Sequence, residues 1–316
     1  MEFNEKIVEF SCINIKDSAY RITTEKCVTD LIRSIKITGL INLPILVENN
    51  SGFSVVSGFR RIEACRRSGW LSVKSRVLEQ DTDLQALIYI AITENAMARE
   101  LNIIEISRCL NMLSEFYKDN ELGEVASKLG LPENPAYIKK VKRLCSFSEP
   151  LQEGILSNCI SVRIALELAD LPYGAGDIFA VLFNRLKPGL NKQKEILTFA
   201  KEISLRDNIC LRDLIEKERP HDILMSDEFD NRRKIELIRN YLKKRRFPVL
   251  SDAENRFKNL VKKLEFGAGM QLVPPADFEG RNYRLNLCFK NLEELESLKA
   301  RLESIMINPG LKSILN

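Results

Sequence analysis

Histidine, closely spaced cysteines and long hydrophobic runs are scarce in this 316-residue sequence. Its one histidine, His221, argues against a Ser-His-Asp triad and against a metal site built from several histidines. The eight cysteines stand at least 14 residues apart, without CxxC or zinc-ribbon spacing, so we interpret them as reduced and mostly buried in the core. The longest strictly apolar run, Ala86–Ile92, has seven residues. A membrane span needs about 20, so we expect no membrane contact.

Length, composition and the N-terminal residues narrow the class of protein further. At about 150 residues per domain the chain predicts two domains, with three small ones as an alternative. A content of 45% hydrophobic and 29% charged residues excludes a wholly disordered or low-complexity chain. The N-terminus carries acidic residues and no long apolar core, so it is not a secretory signal, and we expect a cytoplasmic protein.

Positive charge is concentrated locally although the net charge is only +4. Residues 60–76 hold six basic residues against one acidic residue, and residues 232–246 hold eight against one. Residues 139–143 read Lys-Lys-Val-Lys-Arg. Such clusters on a nearly neutral chain indicate phosphate or nucleic-acid contacts, with solvated helix faces as the alternative.

A strand-turn-helix unit around Ser57–Arg61 is the first candidate site. The alternating segment before it predicts a hairpin with strands over 44–47 and 53–56, and a basic helix is predicted over 60–67. Glycine at position 58 lets a ligand approach the backbone, and the free N–H groups at a helix start bind anions. Arg60 and Arg61 add planar donors suited to phosphate, so the unit predicts a phosphate-binding turn.

Two further constellations follow along the chain. A helix predicted to run through residue 101 would place Asn95 and Arg99 on one face beside Glu94, whose carboxylate is a hard ligand suited to Mg²⁺. Asn102 is predicted to cap the next helix. Two short helices over 121–129 and 136–145, separated by six residues, then have the shape of a helix-turn-helix.

In this order, the three constellations resemble the ParB family of DNA-partition proteins over nearly the full chain. Residues 34–47 are similar to the family's SI…G…P…V segment, 57–64 to its G-x-R-R box and 94–101 to its E-N-x-x-R box. The final strand (283–289) and the Asn-Leu-Glu-Glu-Leu helix, which Asn291 is predicted to cap, resemble its C-terminal dimerisation domain. The resemblance implies a mixed α/β and mainly α fold. The expected parts are a ParB-like, sulfiredoxin-like α/β nucleotide-binding domain (1–101), an all-helical helix-turn-helix domain (102–218), a charged linker containing one basic helix (219–250) and a small α/β dimerisation domain (251–316).

The resemblance also implies a function. ParB proteins bind a specific DNA site and, with CTP, close as a clamp that slides along DNA in chromosome or plasmid partition. We therefore expect a cytoplasmic homodimer, associated with the nucleoid or a plasmid, that binds double-stranded DNA. By this resemblance, CTP would be held by Gly58, Phe59, Arg60, Arg61, Glu94, Asn95 and Arg99, with Mg²⁺ at Glu94 and Asn95. DNA would be contacted by Tyr137, Lys139, Lys140, Lys142 and Arg143.

The sequence departs from the family pattern at two places. Asn42 and Leu43 precede Pro44, where the family often carries a glutamine that helps hydrolysis, so whether the chain is a CTPase stays open. The first predicted strand follows almost at once, without the basic tail by which family members usually stimulate a ParA-type ATPase, so a ParA-type partner stays open.

Three other functions remain open. A ParB-like DNA nuclease would need clustered carboxylates for its metal, and only Glu94 stands out. A site-specific transcriptional regulator would bind DNA without nucleotide switching. Sulfiredoxin-like chemistry would need a cysteine at the glycine box, whereas Cys65 is predicted to lie in the core.

Overall fold

The computed structural model describes residues 3–280 and 282–315, with the side chains of 277 and 313–315 left aside. Its contacts divide the chain into two compact units, Met1–Asp170 and Leu171–Asn316. The first unit begins with a sheet covered by helices and continues with five more helices, and the second unit is mainly helical. The predicted mixed α/β and mainly α fold is therefore confirmed. The finer four-part division into domains stays a prediction.

A five-stranded sheet forms the N-terminal half of the first unit. Its strands are β1 (Asn4–Glu9), β2 (Ile13–Asn14), β3 (Ile45–Asn49), β4 (Gly52–Ser57) and β5 (Ser72–Leu78), in the order β1-β5-β3-β4-β2. The predicted hairpin is confirmed, because β3 and β4 pair antiparallel across a short turn. The sequence analysis missed β5, the strand between β1 and β3, because the polar Ser75 occupies a buried position between Val73 and Val77 and interrupts its apolar alternation.

Three helices cover this sheet: α1 (Thr29–Thr38), α2 (Phe59–Arg67) and α3 (Leu84–Ala96). Ile35 of α1 and Ile62 of α2 share one hydrophobic core with Leu46 and Val55 of the hairpin. Because successive strand residues point to opposite faces, Val56 lies on the other face, where α3 packs against β4. Helix α2 begins directly after β4 and α3 packs against β4, and an ion pair between Arg61 and Glu94 joins the two predicted boxes.

The rest of the first unit is helical. Its helices are α4 (Ile103–Leu113), α5 (Asp119–Lys128), α6 (Pro135–Val141), α7 (Glu149–Leu156) and α8 (Val162–Ala169). The predicted cap at Asn102 is confirmed, because its side chain accepts hydrogen bonds from the N–H groups of Ile104 and Glu105. Glu105 in turn accepts from the Asn102 N–H and completes a capping box.

The second unit begins with a group of closely packed helices. They are α9 (Ala175–Leu186), α10 (Leu190–Asp207), α11 (Leu211–Glu216), α12 (Arg219–Met225), α13 (Asn231–Arg246) and α14 (Pro248–Lys263). The stretch expected as a charged linker is therefore helical, and α13 buries Ile235, Ile238 and Leu242.

The basic cluster of α13 is largely neutralised within the second unit. Lys243 pairs with Glu254 at 2.8 Å and Arg246 pairs with Glu202 at 2.6 Å. Arg245 pairs with both Asp207 and Glu218, and Arg239 pairs with Glu195. At these four residues the structure favours pairing within the unit over the nucleic-acid interpretation, because acidic residues of the same unit already bind their side chains.

The chain ends in a small α/β arrangement. Strand β6 (Met270–Val273) pairs antiparallel with β7 (Arg284–Leu287), and helices α15 (Leu292–Ile307) and α16 (Pro309–Leu315) follow. The predicted strand is shorter than expected, and its partner β6 was not predicted. The predicted cap Asn291 is confirmed by its hydrogen bond from the Glu294 N–H.

All eight cysteines are free thiols, but Cys65 and Cys109 are the two fully buried ones, so the expectation that most lie in the core is wrong. Within the described residues, no helix is both long and apolar enough to cross a bilayer.

Candidate functional site

The turn between β4 and α2 has a backbone that only glycine fits. Gly58 lies at φ +93°, in the left-handed region, and it precedes the first turn of α2. A Cβ atom at this position would stand 2.9 Å from the Cβ of Pro44 and 3.1 Å from Nε of Arg61. Without a side chain, the turn packs directly against Pro44 and leaves the N–H groups at the start of α2 open to a ligand.

A cavity of about 220 Å³ opens at this turn. It is closed on one side by the start of α2 and on the other by the end of α3 and the loop that follows α3. The structure brings all seven predicted nucleotide-site residues to its wall: Gly58, Phe59, Arg60, Arg61, Glu94, Asn95 and Arg99. Ile22, Thr23 and Leu31 also line the wall, and the sequence analysis did not single them out.

Arg60 has an unsatisfied donor inside this region. Its Nη2 donates a 2.7 Å hydrogen bond to the backbone carbonyl of Cys27. Its Nε is buried, and it finds no hydrogen-bond partner among the residues that the structure describes. A buried polar donor without a partner costs free energy, so an acceptor bound beside Arg60 would be stabilised.

Arg61 connects three segments of the site. Its Nη1 donates to the carbonyls of Asn42, at 3.1 Å, and Leu43, at 2.9 Å, while Nη2 lies 3.5 Å from the Glu94 carboxylate. Burial lowers the pKa of Arg61, and the charge of Glu94 works against that shift. The two residues that replace the expected glutamine thus use their backbone carbonyls to hold Arg61.

Glu94 and Asn95 lie in the last turn of α3. Asn95 donates from Nδ2 to the Ala91 carbonyl at 2.8 Å, which fixes the amide and leaves its oxygen for another partner. Within the described residues, no three His, Cys, Asp or Glu side chains come together as a metal site. A metal at Glu94 and Asn95 would therefore take its remaining ligands from water and from a bound phosphate, which is the usual coordination of Mg²⁺.

The predicted helical pairing of Asn95 with Arg99 is wrong. Helix α3 ends at Ala96, and Arg99 lies in the loop that leads to the cap of α4. There its guanidinium donates two hydrogen bonds, at 2.6 and 3.0 Å, to Glu105. The capping box at Asn102 starts a new helix axis, so the two residues reach the same cavity from separate elements.

Glu105 is a charged residue in the core of the first unit, with a side chain that is 1% exposed. Its carboxylate accepts from the Thr24 N–H at 2.9 Å and from the Asn102 N–H at 3.1 Å, besides Arg99. Burial alone would raise the pKa of Glu105, but these hydrogen bonds and the charge of Arg99 hold it below its ordinary value. From the sequence it could be identified only as a capping residue.

A second candidate site lies in α5, α6 and the six-residue turn between them. Gly123 of α5 lets the turn approach closely, because a Cβ atom there would stand 2.5 Å from the carbonyl oxygen of Glu133. Ile138 and Val141 bury one face of α6, which packs against α4 and α5. The two helices thus form the predicted helical pair, with the outer face of α6 left open.

The five predicted DNA-binding residues divide into two groups. Tyr137, Lys139 and Lys140 are exposed on α6. Lys142 pairs with Asp119 at 2.8 Å and Arg143 pairs with Asp170 at 2.7 Å. The exposed group presents two cations and an aromatic ring to solvent, whereas the second group already has acidic partners in this unit.

Comparisons with known proteins agree with the N-terminal assignment. Residues 3–96 match the model of the ParB N-terminal domain. A probable chromosome-partitioning protein ParB of Helicobacter pylori is 25% identical over 171 residues, covering 52% of this chain and 57% of that protein. A nucleoid occlusion protein of Halalkalibacterium halodurans is 27% identical over 151 residues, covering 48% of this chain and 51% of that protein. The chain thus spans little more than half the length of these curated relatives.

One solved structure is also similar to this chain, at low identity. It is the C-terminally truncated ParB of Caulobacter crescentus, complexed with CTP-gamma-S. That protein is 18% identical, with a TM-score of 0.27, over 57% of this chain and 99% of its own. With the family match and the curated relatives, the predicted resemblance to ParB proteins is confirmed.

Proposed function

We propose that this chain, whose residues 3–96 form a ParB N-terminal domain, is a CTP-binding DNA clamp for chromosome or plasmid partition. The observation that carries the proposal is the cavity at Gly58, whose wall holds all seven predicted residues and which adjoins the unpartnered Nε of Arg60. The choice of cytosine as the base rests on the resemblance described above, since the wall itself favours phosphate.

The chemistry of the cavity suits a triphosphate. Open N–H groups at the start of α2 face the ligand, and the helix dipole favours negative charge there. The Nε donor of Arg60 would gain a phosphate oxygen as its partner. Arg61, held by two backbone carbonyls, contributes charge and keeps the Pro44 loop against the turn.

Mg²⁺ would join Glu94 and Asn95 to the phosphates. Carboxylate and amide oxygens are hard ligands, and Mg²⁺ keeps several waters and bridges phosphate oxygens. In this arrangement the ion would neutralise phosphate charge between α2 and α3, which bear Arg61 and Glu94. Asn42 and Leu43 offer no side-chain carboxylate or glutamine for water activation, so we propose binding of CTP and leave hydrolysis outside the proposal.

DNA binding is assigned to α5 and α6. The exposed Tyr137, Lys139 and Lys140 lie on the face of α6 that points away from Ile138 and the core. In a helix-turn-helix the second helix enters the major groove, so these three residues would contact the duplex. Lys142 and Arg143 would contribute only if the duplex displaced their acidic partners.

A homodimer would form through the C-terminal α/β arrangement. Its two-stranded sheet leaves backbone groups unpaired at its edges, and Phe289 and Leu292 are exposed beside β7. A second copy would cover these side chains and tether two DNA-binding units, which raises avidity. The proposed location is the cytoplasm, on a nucleoid or plasmid.

The alternatives receive less support from the residues in the first unit. A nuclease needs clustered carboxylates, and none is found around Glu94 in the described part of the chain. Cys65 is fully buried on α2, away from the position that sulfiredoxin-like chemistry requires. A transcriptional regulator without nucleotide switching would also bind DNA through α5 and α6. It differs from the proposed clamp in that its cavity at Gly58 would bind no nucleotide.

Calorimetric titration of the full chain with CTP, and separately with ATP, in Mg²⁺ decides between these functions. The proposal expects saturable CTP binding that is tighter than ATP binding. If neither nucleotide binds at millimolar concentration while duplex DNA does, the regulator is the correct function. Degradation of that duplex in Mg²⁺ would instead support the nuclease.

A further inference from the structure

A second cavity, of about 560 Å³, lies in the first unit beside helix α4. Its walls are the loop of residues 18–26 and the face of α4 that carries Arg108 and Asn111. Thr23 lines this cavity and also the cavity at Gly58, so the two are neighbours. None of the nucleotide or DNA contacts proposed above involves the second cavity, although its wall is rich in charged and polar groups.

The positive charge in this wall is poorly compensated. Arg21, Lys26 and Arg108 line the cavity, and Glu115 is the acidic residue among the lining side chains. Lys26 forms an ion pair with Glu149, so its charge is partly neutralised. Arg21 and Arg108 are half-buried, and neither pairs with a carboxylate anywhere in residues 3–280 or 282–315.

Neutral groups hold these two arginines in place. Arg108 uses one nitrogen, Nη1, to donate to the backbone carbonyls of Ile22, at 3.1 Å, and Thr23, at 2.9 Å. The Arg21 guanidinium lies over the ring of Phe59, 5.7 Å from its centroid. Carbonyl oxygens and an aromatic face orient a guanidinium without cancelling its charge, so both side chains keep donors for a further partner.

The two charges also act on each other. Burial lowers the pKa of Arg108, and the nearby positive charge of Arg21 lowers it further, while the charge of Glu105 acts in the opposite direction. Two half-buried like charges repel, and an anion that lies between them relieves this repulsion. An anion between the two guanidinium groups would therefore be attracted by both charges.

We propose that this cavity is a second anion site, in which a phosphoryl group binds between Arg21 and Arg108. The planar fork of a guanidinium matches two phosphate oxygens, and two such forks face one cavity. The Ser18 hydroxyl and the Asn111 amide add neutral donors to the same wall. Glu115, at the same cavity, opposes an anion, so the binding depends on both arginines together.

Two sources can supply the phosphoryl group. Helix α4 packs against α6, and Cys145, shortly after α6, lines the cavity. A backbone phosphate of a duplex held by α6 is therefore one source, and a free polyphosphate is the other. Both use the same chemistry, and the two can be separated because only the first changes DNA binding.

The test uses full-length chains that all carry Arg60→Ala, which impairs the Gly58 cavity and leaves the second cavity intact. Inorganic pyrophosphate and a duplex of arbitrary sequence are the two probes. Arg21→Gln removes one of the two guanidinium groups. Arg33→Gln is the matched control, because Arg33 is an exposed arginine of α1 outside the cavity. Arg21→Lys keeps the charge without the fork, and circular dichroism checks that every variant is folded.

Arg21→Gln is expected to weaken pyrophosphate binding about ten- to hundredfold if the source is a free polyphosphate, with Arg21→Lys in between. If the source is DNA, Arg21→Gln instead reduces the slope of log K against log salt for duplex binding by about one, which corresponds to the loss of one phosphate contact. The proposal is overturned if Arg21→Gln and Arg33→Gln bind both probes alike. Because Arg60→Ala is present throughout, that result would leave the function of the Gly58 cavity untouched.

Discussion

Arg99, at the nucleotide cavity, and Glu105, in the first turn of α4, form a bidentate ion pair with N–O distances of 2.6 and 3.0 Å. Arg99 is 38% exposed at the cavity, whereas Glu105 is 1% exposed in the core. The same carboxylate also binds the Thr24 backbone, so three segments meet at one buried charge. A ligand that draws Arg99 towards itself would have to compete with this pair.

Replacing Glu105 by Gln is expected to destabilise the first unit by about 1–3 kcal/mol, since the Arg99 charge and two backbone donors lose an ionised acceptor. Urea unfolding measures the change. The exposed Glu79→Gln in the same unit is the control, with an expected change near zero. Equal unfolding midpoints for the two variants would contradict the assigned contribution of Glu105.

The stability of the first unit is also expected to depend on pH through Glu105. Its pKa in the folded chain lies below the ordinary 4.5, so its contribution is fully present above about pH 5. As pH falls through 4.5 towards the lower folded value, the unfolded chain takes up the proton first and this contribution is lost. Urea midpoints between pH 7 and pH 3.5 should fall less steeply in Glu105→Gln than in the unmodified chain, and parallel slopes would argue against this.

Arg60→Ala is expected to lower CTP affinity about ten- to hundredfold, because the Nε donor that would meet phosphate is lost. Calorimetry with Mg²⁺ measures the affinity. Arg67→Ala is the matched control, because Arg67 belongs to the same helix and pairs with Glu63 outside the cavity. Similar affinities for the two variants would remove Arg60 from the binding site.

Gly58→Ala and Gly69→Ala separate backbone strain from steric contact. Both glycines have positive φ, +93° at Gly58 and +83° at Gly69. In both variants alanine must adopt this unfavourable backbone conformation, which lowers the free energy of unfolding by about 1–3 kcal/mol. Only at position 58 would the new Cβ also meet Pro44, because nothing lies within 4 Å of the position at Gly69. Gly58→Ala should therefore unfold at lower urea concentration than Gly69→Ala, and it should also weaken CTP binding. The reverse order of stability would show that the turn relaxes freely.

Lys139→Ala combined with Lys140→Ala is expected to weaken binding to all duplexes and to reduce the slope of log K against log salt by about two. The matched double variant replaces Arg33 and Lys36, two exposed cations on α1. Fluorescence anisotropy at several salt concentrations measures both slopes. An unchanged slope in the α6 variant would place the duplex elsewhere.

Leu292→Glu is expected to convert a homodimer into monomers, because it puts a charge where the second copy would cover an apolar side chain that is 69% exposed. Light scattering on the full chain measures the mass. Ile37→Glu, at an equally exposed apolar position of α1, should leave the dimer intact. A monomeric unmodified chain, or a dimer that survives Leu292→Glu, would contradict the proposed interface.

Local chemistry in the sequence was enough to predict the turn at Gly58, the hairpin before it and the caps at Asn102 and Asn291. These features depend on residues a few positions apart, whose conformational preferences act before any tertiary contact forms. The resemblance to ParB proteins, carried by ordered short motifs, followed from the same local information.

Only the tertiary structure decided which charges are free. The bases of α13 look like a nucleic-acid surface in sequence, yet acids up to 44 positions away neutralise Arg239 and Arg246. Arg21 and Arg108 are 87 positions apart, and no sequence motif connects them. In the structure they line the same cavity, and neither forms an ion pair with a carboxylate among the described residues. The energy of a charge depends on burial and on what stands within a few ångströms, and both are set by chain segments that the sequence leaves far apart.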